Sequence, residues 1–141
     1  EGLEIVDLPP AFAARLREFL PPEAAVANPL DLRADAREER FDATFAAALG
    51  HAPASFDAIL MIHVVPFMVE AAPIIAALAA RAPSAAVPVM HAMMGTLGKE
   101  SGDKQAWFAA MEAAGVPMFN DVEDMASAAG LLARYRDLRA R

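Results

Sequence analysis

Apolar residues along this chain fall into two kinds of run. Ala24 to Ala27, Phe56 to Val65 and Val87 to Met93 are short and almost continuously apolar, whereas the segments between them repeat apolar residues every three or four positions. The first kind fits strands buried on both faces and the second fits amphipathic helices. Pro9-Pro10 opens a predicted helix through Leu20, with Phe12, Leu16, Phe19 and Leu20 at helical spacing, and Pro21-Pro22 closes it. Arg37 to Leu49 sets Phe41, Thr44, Phe45, Ala48 and Leu49 on one face, with Gly50 as the stop. Pro73 lies in the first turn of a helix whose apolar side is Ile74, Ile75, Leu78 and Ala79, ended by Ala82-Pro83-Ser84. The loop from Gly95 to Gly102 leads into a helix over Asp103 to Ala114, in which Phe108 and Met111 should pack on the sheet. A short strand at Val116 to Phe119 follows. Asp121 caps a last helix with Met125, Ala128, Leu131, Leu132 and Tyr135 on its inner side.

Strands that alternate with helices at this spacing require right-handed crossovers and a parallel sheet. The predicted fold class is therefore α/β, a three-layer, flavodoxin-like parallel sheet flanked by helices, with Phe56 to Val65 as a central strand. Such sheets bind ligands outside the carboxyl ends of their strands. The polar features gather there: Asn28 and Asp31, His63 with the loop from Val64 to Phe67, and Gly95 to Gly98.

Composition narrows the picture further. A chain of 141 residues makes one domain, here 1–141, burying roughly 68–70% of its unfolded surface, so it needs neither disulfide nor metal to fold. It has no cysteine, which excludes disulfides, thiolate metal sites and a cysteine nucleophile, and fits the cytoplasm. A net charge of −7 without a basic stripe argues against a nucleic-acid partner. Ala58 to Ala80 is apolar enough to suggest a membrane span, but His63, Pro66, Glu70 and Pro73 interrupt it, so a strand, loop and helix explain it better and no membrane partner is expected. Glu1-Gly2-Leu3-Glu4 lacks an initiating Met and the layout of a signal peptide, so the chain is expected to start inside something larger or to be processed.

Three histidines invite a catalytic reading, and each has a plainer one. His63 ends an apolar run and His91 sits inside another, both consistent with core or rim residues. His51 follows a helix end. Asn28 fits a substrate contact or a strand-end amide bonded to backbone, and Asp31 a cap or a partner for Arg33 or Arg37. Gly95-Thr96-Leu97-Gly98-Lys99 lacks the spacing of a phosphate loop and reads as a connection.

Asn28-Pro29-Leu30-Asp31-Leu32, the run from Phe56 to Pro66, Val87-Pro88-Val89 through Met94-Gly95, and Ala114-Gly115-Val116-Pro117 occur in an order that resembles the succinyl-CoA-ligase-like domain of NDP-forming acyl-CoA synthetases, also called ADP-forming acetate–CoA ligases. The resemblance covers essentially the whole chain. It implies an enzyme that makes acyl-CoA with ATP/ADP turnover through an acyl phosphate and a phosphohistidine. That histidine, in a Ser-His-Thr-Gly-like motif, and the ATP-grasp module would lie in other domains, so this chain alone is expected to be inactive and to carry no catalytic residue and no metal site. The resemblance also implies CoA, ATP or ADP and Mg2+ for the intact protein. Partners would be its CoA-binding and ATP-grasp domains or subunits and a small carboxylic acid or acyl phosphate.

The expected substrate contacts are Asn28, His63, Val65, Phe67 and Gly95. Where succinyl-CoA ligases carry Gly-Gly, this chain has Val64-Val65-Pro66-Phe67; Pro66 has no N–H to donate, which points to a more apolar acyl group or a degraded site. The family's domain usually begins one strand and one helix earlier. The chain is thus expected to be a fragment of a larger multidomain protein, with Gly2 to Val6 not paired normally and a sheet edge open to another chain or a second copy as a homodimer. A regulatory or oligomerisation module of the same fold, as in acetyltransferase fusions or inactive relatives, is the alternative.

Overall fold

The computed structural model describes residues 2–66, 68–95 and 101–140. In these, helices α1 (Pro10–Arg17) and α2 (Glu38–His51) precede strand β1 (Ile59–Val64). Then come α3 (Ala71–Arg81), a 3-10 turn at Ala82–Ser84, β2 (Val89–Met94), α4 (Ser101–Ala113), β3 (Met118–Phe119) and α5 (Val122–Arg139). The three strands form one parallel sheet in the order β1-β2-β3, with Ile59 opposite Val89 and His91 opposite Met118. This is the expected α/β class.

Alternation along the strands sorts the core into two layers. Ile59, Met61, Val89 and Met93 face α2, α3 and α4, joining Phe45, Ile74, Ile75, Leu78, Met111 and Val116 in the main core. Met90 and Ala92 face the other way and pack under Met125 and Ala129 of α5. A third cluster ties α1 to the loop after it, through Phe12, Leu16, Leu20 and Ala24. Arg81 of α3 grips Asp42 of α2 with two hydrogen bonds, Nε at 2.6 Å and Nη2 at 2.7 Å, which fixes the two helices side by side.

Several expectations are corrected. Ala24 to Ala27 is not a strand: prolines flank it at Pro21-Pro22 and Pro29, no strand runs beside it among the described residues, and Ala24 instead closes the α1 cluster. The Phe56–Val65 run yields β1, which is the edge of the sheet and not its centre, because its outer side has no neighbour among the described residues. Its Leu60, Ile62 and Val64 are accordingly 38%, 53% and 60% exposed. α1 ends at Arg17, three residues before Leu20, and α2 runs through Gly50 to His51. Pro53, which disfavours helical backbone at Ala52, sets that boundary. In α5, Leu131, Leu132 and Tyr135 are exposed, since only the first half of that helix lies over β2 and β3. Gly2 to Val6 belongs to no strand.

Candidate functional site

The carboxyl end of β1 opens on a cavity of about 400 Å3. Three helices begin on it: Arg37 and Glu38 come from the start of α2, Glu70, Ala71 and Pro73 from the start of α3, and Asp103 and Trp107 from α4. Neither Arg37 nor Glu70, the residues that precede α2 and α3, caps its helix with a side-chain hydrogen bond. The uncapped amino-terminal ends of α2 and α3 and the first turn of α4 thus border one cavity, which Arg37 also lines. Carboxylates oppose that field: Glu38 and Asp103 line the cavity from the first turns of α2 and α4, Glu70 lines it from just before α3, and Arg37 is the one cation among its lining residues. Helix amino-termini and Arg37 are the groups here that favour an anion, and the three carboxylates are the groups that oppose one.

A second cavity, about 510 Å3 and mostly apolar, runs along the free side of β1. Phe41, Thr44, Phe45 and His63 line one part of it, Leu60, Ile62 and Val64 another, and Leu8, Phe12 and the Asn28–Ala36 segment the opposite wall. Next to it the imidazoles of His63 and His91 stack with centroids 5.8 Å apart and planes 5° from parallel, and Phe41 covers His63 at 5.1 Å. Burial pushes His63 down to about 4, and burial together with the charge of neighbouring His63 pushes His91 down to about 3. Both rings are neutral near pH 7. Their Nδ1 atoms and Thr44 Oγ1 are buried without a hydrogen-bond partner among the described residues.

Of the five expected contacts, four lie among the described residues. Asn28 is exposed, lines the second cavity, and donates from Nδ2 to the Val6 carbonyl at 2.8 Å. His63 and Val65 are buried, and Val65 N–H donates to Met94 O at 2.9 Å. Gly95, at φ 87°, follows β2 at the same carboxyl edge of the sheet as Val65, and its carbonyl accepts from Lys104 Nζ at 2.9 Å. Phe67 lies outside the described residues, as does most of the Gly95-Thr96-Leu97-Gly98-Lys99 loop. Asp31 caps its own turn by accepting from Arg33 N–H at 2.8 Å, the structural role allowed for it. Two further residues gain a place from the structure. Arg37, in the sequence the start of a helix and a possible partner for Asp31, lines the first cavity, and Lys104 is 8% exposed with its Nζ 5.5 Å from the Phe108 ring. The Lys104–Phe108 spacing of four on a helix was the available signal for the latter.

With three helices on one side of a parallel sheet and one on the other, the architecture is that of a doubly wound α/β domain. The Ligase-CoA domain profile matches residues 1–140, and the chain belongs to that family. Among solved structures it is similar to PH0766 from Pyrococcus horikoshii OT3, with 33% identity, a TM-score of 0.71 and coverage of 91% of this chain and 29% of that one. It shares its fold with the apo form of the dinucleotide forming acetyl-coenzyme A synthetase 1 of Ca. Korarchaeum cryptofilum, with 20% identity, a TM-score of 0.69 and coverage of 84% and 25%. The chain thus spans less than a third of either protein. The comparison with curated proteins found no match.

Proposed function

We propose that this chain is the acyl-side domain of an acid–thiol ligase that forms acyl-CoA with ATP/ADP turnover in the cytoplasm, through an acyl phosphate and a phosphohistidine carried by another domain. The observation that carries the reading is the family match over residues 1–140. The cavity where α2, α3 and α4 begin supplies it with a place for the anionic end of an acyl phosphate, and Arg37 with a counter-charge. His63 and His91, neutral and buried, are not the phosphoryl carriers in this scheme. CoA, nucleotide and Mg2+ belong to the CoA-binding and ATP-grasp partners, and the chain alone does not turn over. Among the described residues, no cluster of three or more His, Asp or Glu side chains is suited to a metal ion.

The test is made on the full-length protein. Acid-labile phosphate should be incorporated from ATP and be lost when the phosphohistidine of the other domain is replaced; no incorporation with any candidate acid sinks the reading. A hydrogen bond to a charged group contributes about 1.5–3 kcal/mol, so Arg37→Ala should lower kcat/KM for the acid roughly tenfold to a hundredfold. Arg37 is exposed, so thermal stability should be unchanged. Asn28→Ala separates its two readings: loss of stability in proportion to activity marks the Val6 tie, and loss of activity alone marks a substrate contact.

One observation favours an assembly role as a second reading. Leu60, Ile62 and Val64 on β1 and Leu132 and Tyr135 on α5 are exposed large apolar residues, as a module that docks onto another chain would have.

A further inference from the structure

The side of α5 that faces away from the sheet carries an apolar stripe. Met125 and Ala129, in the first half of the helix, pack on the sheet beside Met90 and Ala92. Leu131, Tyr135 and Leu138, in the second half, are 61%, 57% and 67% exposed. At 3.6 residues per turn these three fall in line with Asp124 and Ser127, on the side of the helix opposite Met125 and Ala129. An element laid on the sheet next to α5 would therefore leave the stripe open. Spacings of three and four along one helix face form the seam of a helix pair, and a line of large apolar side chains rimmed by charge marks an interaction surface.

Two asymmetries of the helix select what lies on that seam. The first is charge: Glu123 and Asp124 occupy the first turn, and Arg136 and Arg139 the last. The second is size, since small Ser127 and Ala128 precede large Leu131, Tyr135 and Leu138. A parallel copy of the same helix would set acid on acid and large on large. A reversed copy sets acid against arginine and large against small, so the surface is complementary to itself. We propose that α5 pairs antiparallel with α5 of a second copy of this chain, about a two-fold axis close to Leu131.

With the axis there, Leu131 meets its own equivalent, Tyr135 lies over Ala128 of the second copy, Leu138 over its Ser127, and Arg139 faces its Asp124. Arg139 Cζ already sits 5.8 Å from the Tyr135 ring, which places the guanidinium at the rim of the seam. Arg136 is held by Asp57 and Asp137 of its own chain and takes no part. Each contact occurs twice and the pairing closes at two copies. Two helices of this length bury together about 1,000 Å2, the low end for a specific interface, so the dimer is reversible, with Kd of about 10–100 μM. It leaves open the first cavity, which is lined from α2, α3 and α4.

The experiment exchanges the charges at the two ends of the seam in the full-length encoded protein. Asp124→Arg and Arg139→Asp, both at exposed positions, should each weaken self-association at least about tenfold in sedimentation velocity, because two like-charge pairs replace two opposite ones. An equimolar mixture of the two variants should recover the association of the unmodified protein, since every exchanged charge then faces an opposite one. A mixture no stronger than either variant alone, or an unmodified protein whose association neither variant changes, overturns the proposal. A second measurement needs no charge change. With p-benzoylphenylalanine in place of Leu131 and a mixture of isotopically labelled and unlabelled protein, irradiation should link residue 131 of one copy to residues 127–135 of another. Crosslinks confined to one chain, to other parts of a second copy, or to nothing overturn it. Neither readout depends on turnover, so the inference stands or falls separately from the ligase reading.

Discussion

His63 and His91 hold neutral imidazoles in an apolar layer, and that couples folding to pH. Their folded values, about 4 and about 3, lie below the ordinary histidine value of 6.5. The unfolded chain therefore binds protons first, and stability is fully present above pH 6.5 and lost as pH falls towards 3 to 4. One pKa unit corresponds to about 1.4 kcal/mol, so the pair can remove a few kcal/mol over that interval. Urea unfolding between pH 7 and 4 should show a falling midpoint, with little change from pH 7 to 8. The double variant His63→Leu and His91→Leu should flatten the slope; an unchanged slope would assign it elsewhere. Asp42 adds loss only at more acidic pH, because the hydrogen bonds from Arg81 hold its carboxyl below the usual range.

Among the elements, α5 shows how local chemistry sets a boundary. Asp121 precedes the helix with extended backbone, and its Oδ1 accepts from Asp124 N–H at 2.8 Å. Asp121→Ala should cost about 1 kcal/mol in chemical denaturation, and Asp121→Ser should restore most of it. That cap was legible in the sequence because it depends on residues three apart. Helix positions, the β1 and β2 runs and the exposed role of Asp31 were legible for the same reason. The rank of β1 in the sheet was not, because an all-apolar run is the signature of a two-sided strand whether or not its neighbour is present. Ala24 to Ala27 misled in the opposite direction: short apolar residues looked like a strand, but strand pairing is decided by tertiary neighbours. The candidate rim was only partly legible. Gly95 and the β1 end were placed by topology, whereas the convergence of Arg37, Glu70 and Asp103 joins three helices distant in sequence.

At the scale of the molecule, each pair of adjacent strands is consecutive in the chain, with one helix between its members. That ordering bears on how the protein folds. Parallel pairing normally suffers from long loop closure, but here each closure is a single strand–helix–strand step, so residues from Ile59 to Phe119 should organise first. α1 touches the remainder mainly through α2 and the loop around Ala24, and should dock late. Leu16 and Leu78 are both essentially inaccessible, so each alanine variant should cost about 2–5 kcal/mol. Their kinetics should differ: Leu78→Ala should slow refolding, and Leu16→Ala should chiefly speed unfolding. Stopped-flow measurements in urea check this, and equal slowing of refolding by both would remove the order of assembly. The bidentate Arg81–Asp42 clasp that sets α2 against α3 then acquires a kinetic meaning: it and Phe45 hold in place the helix on which the late-arriving α1 must dock.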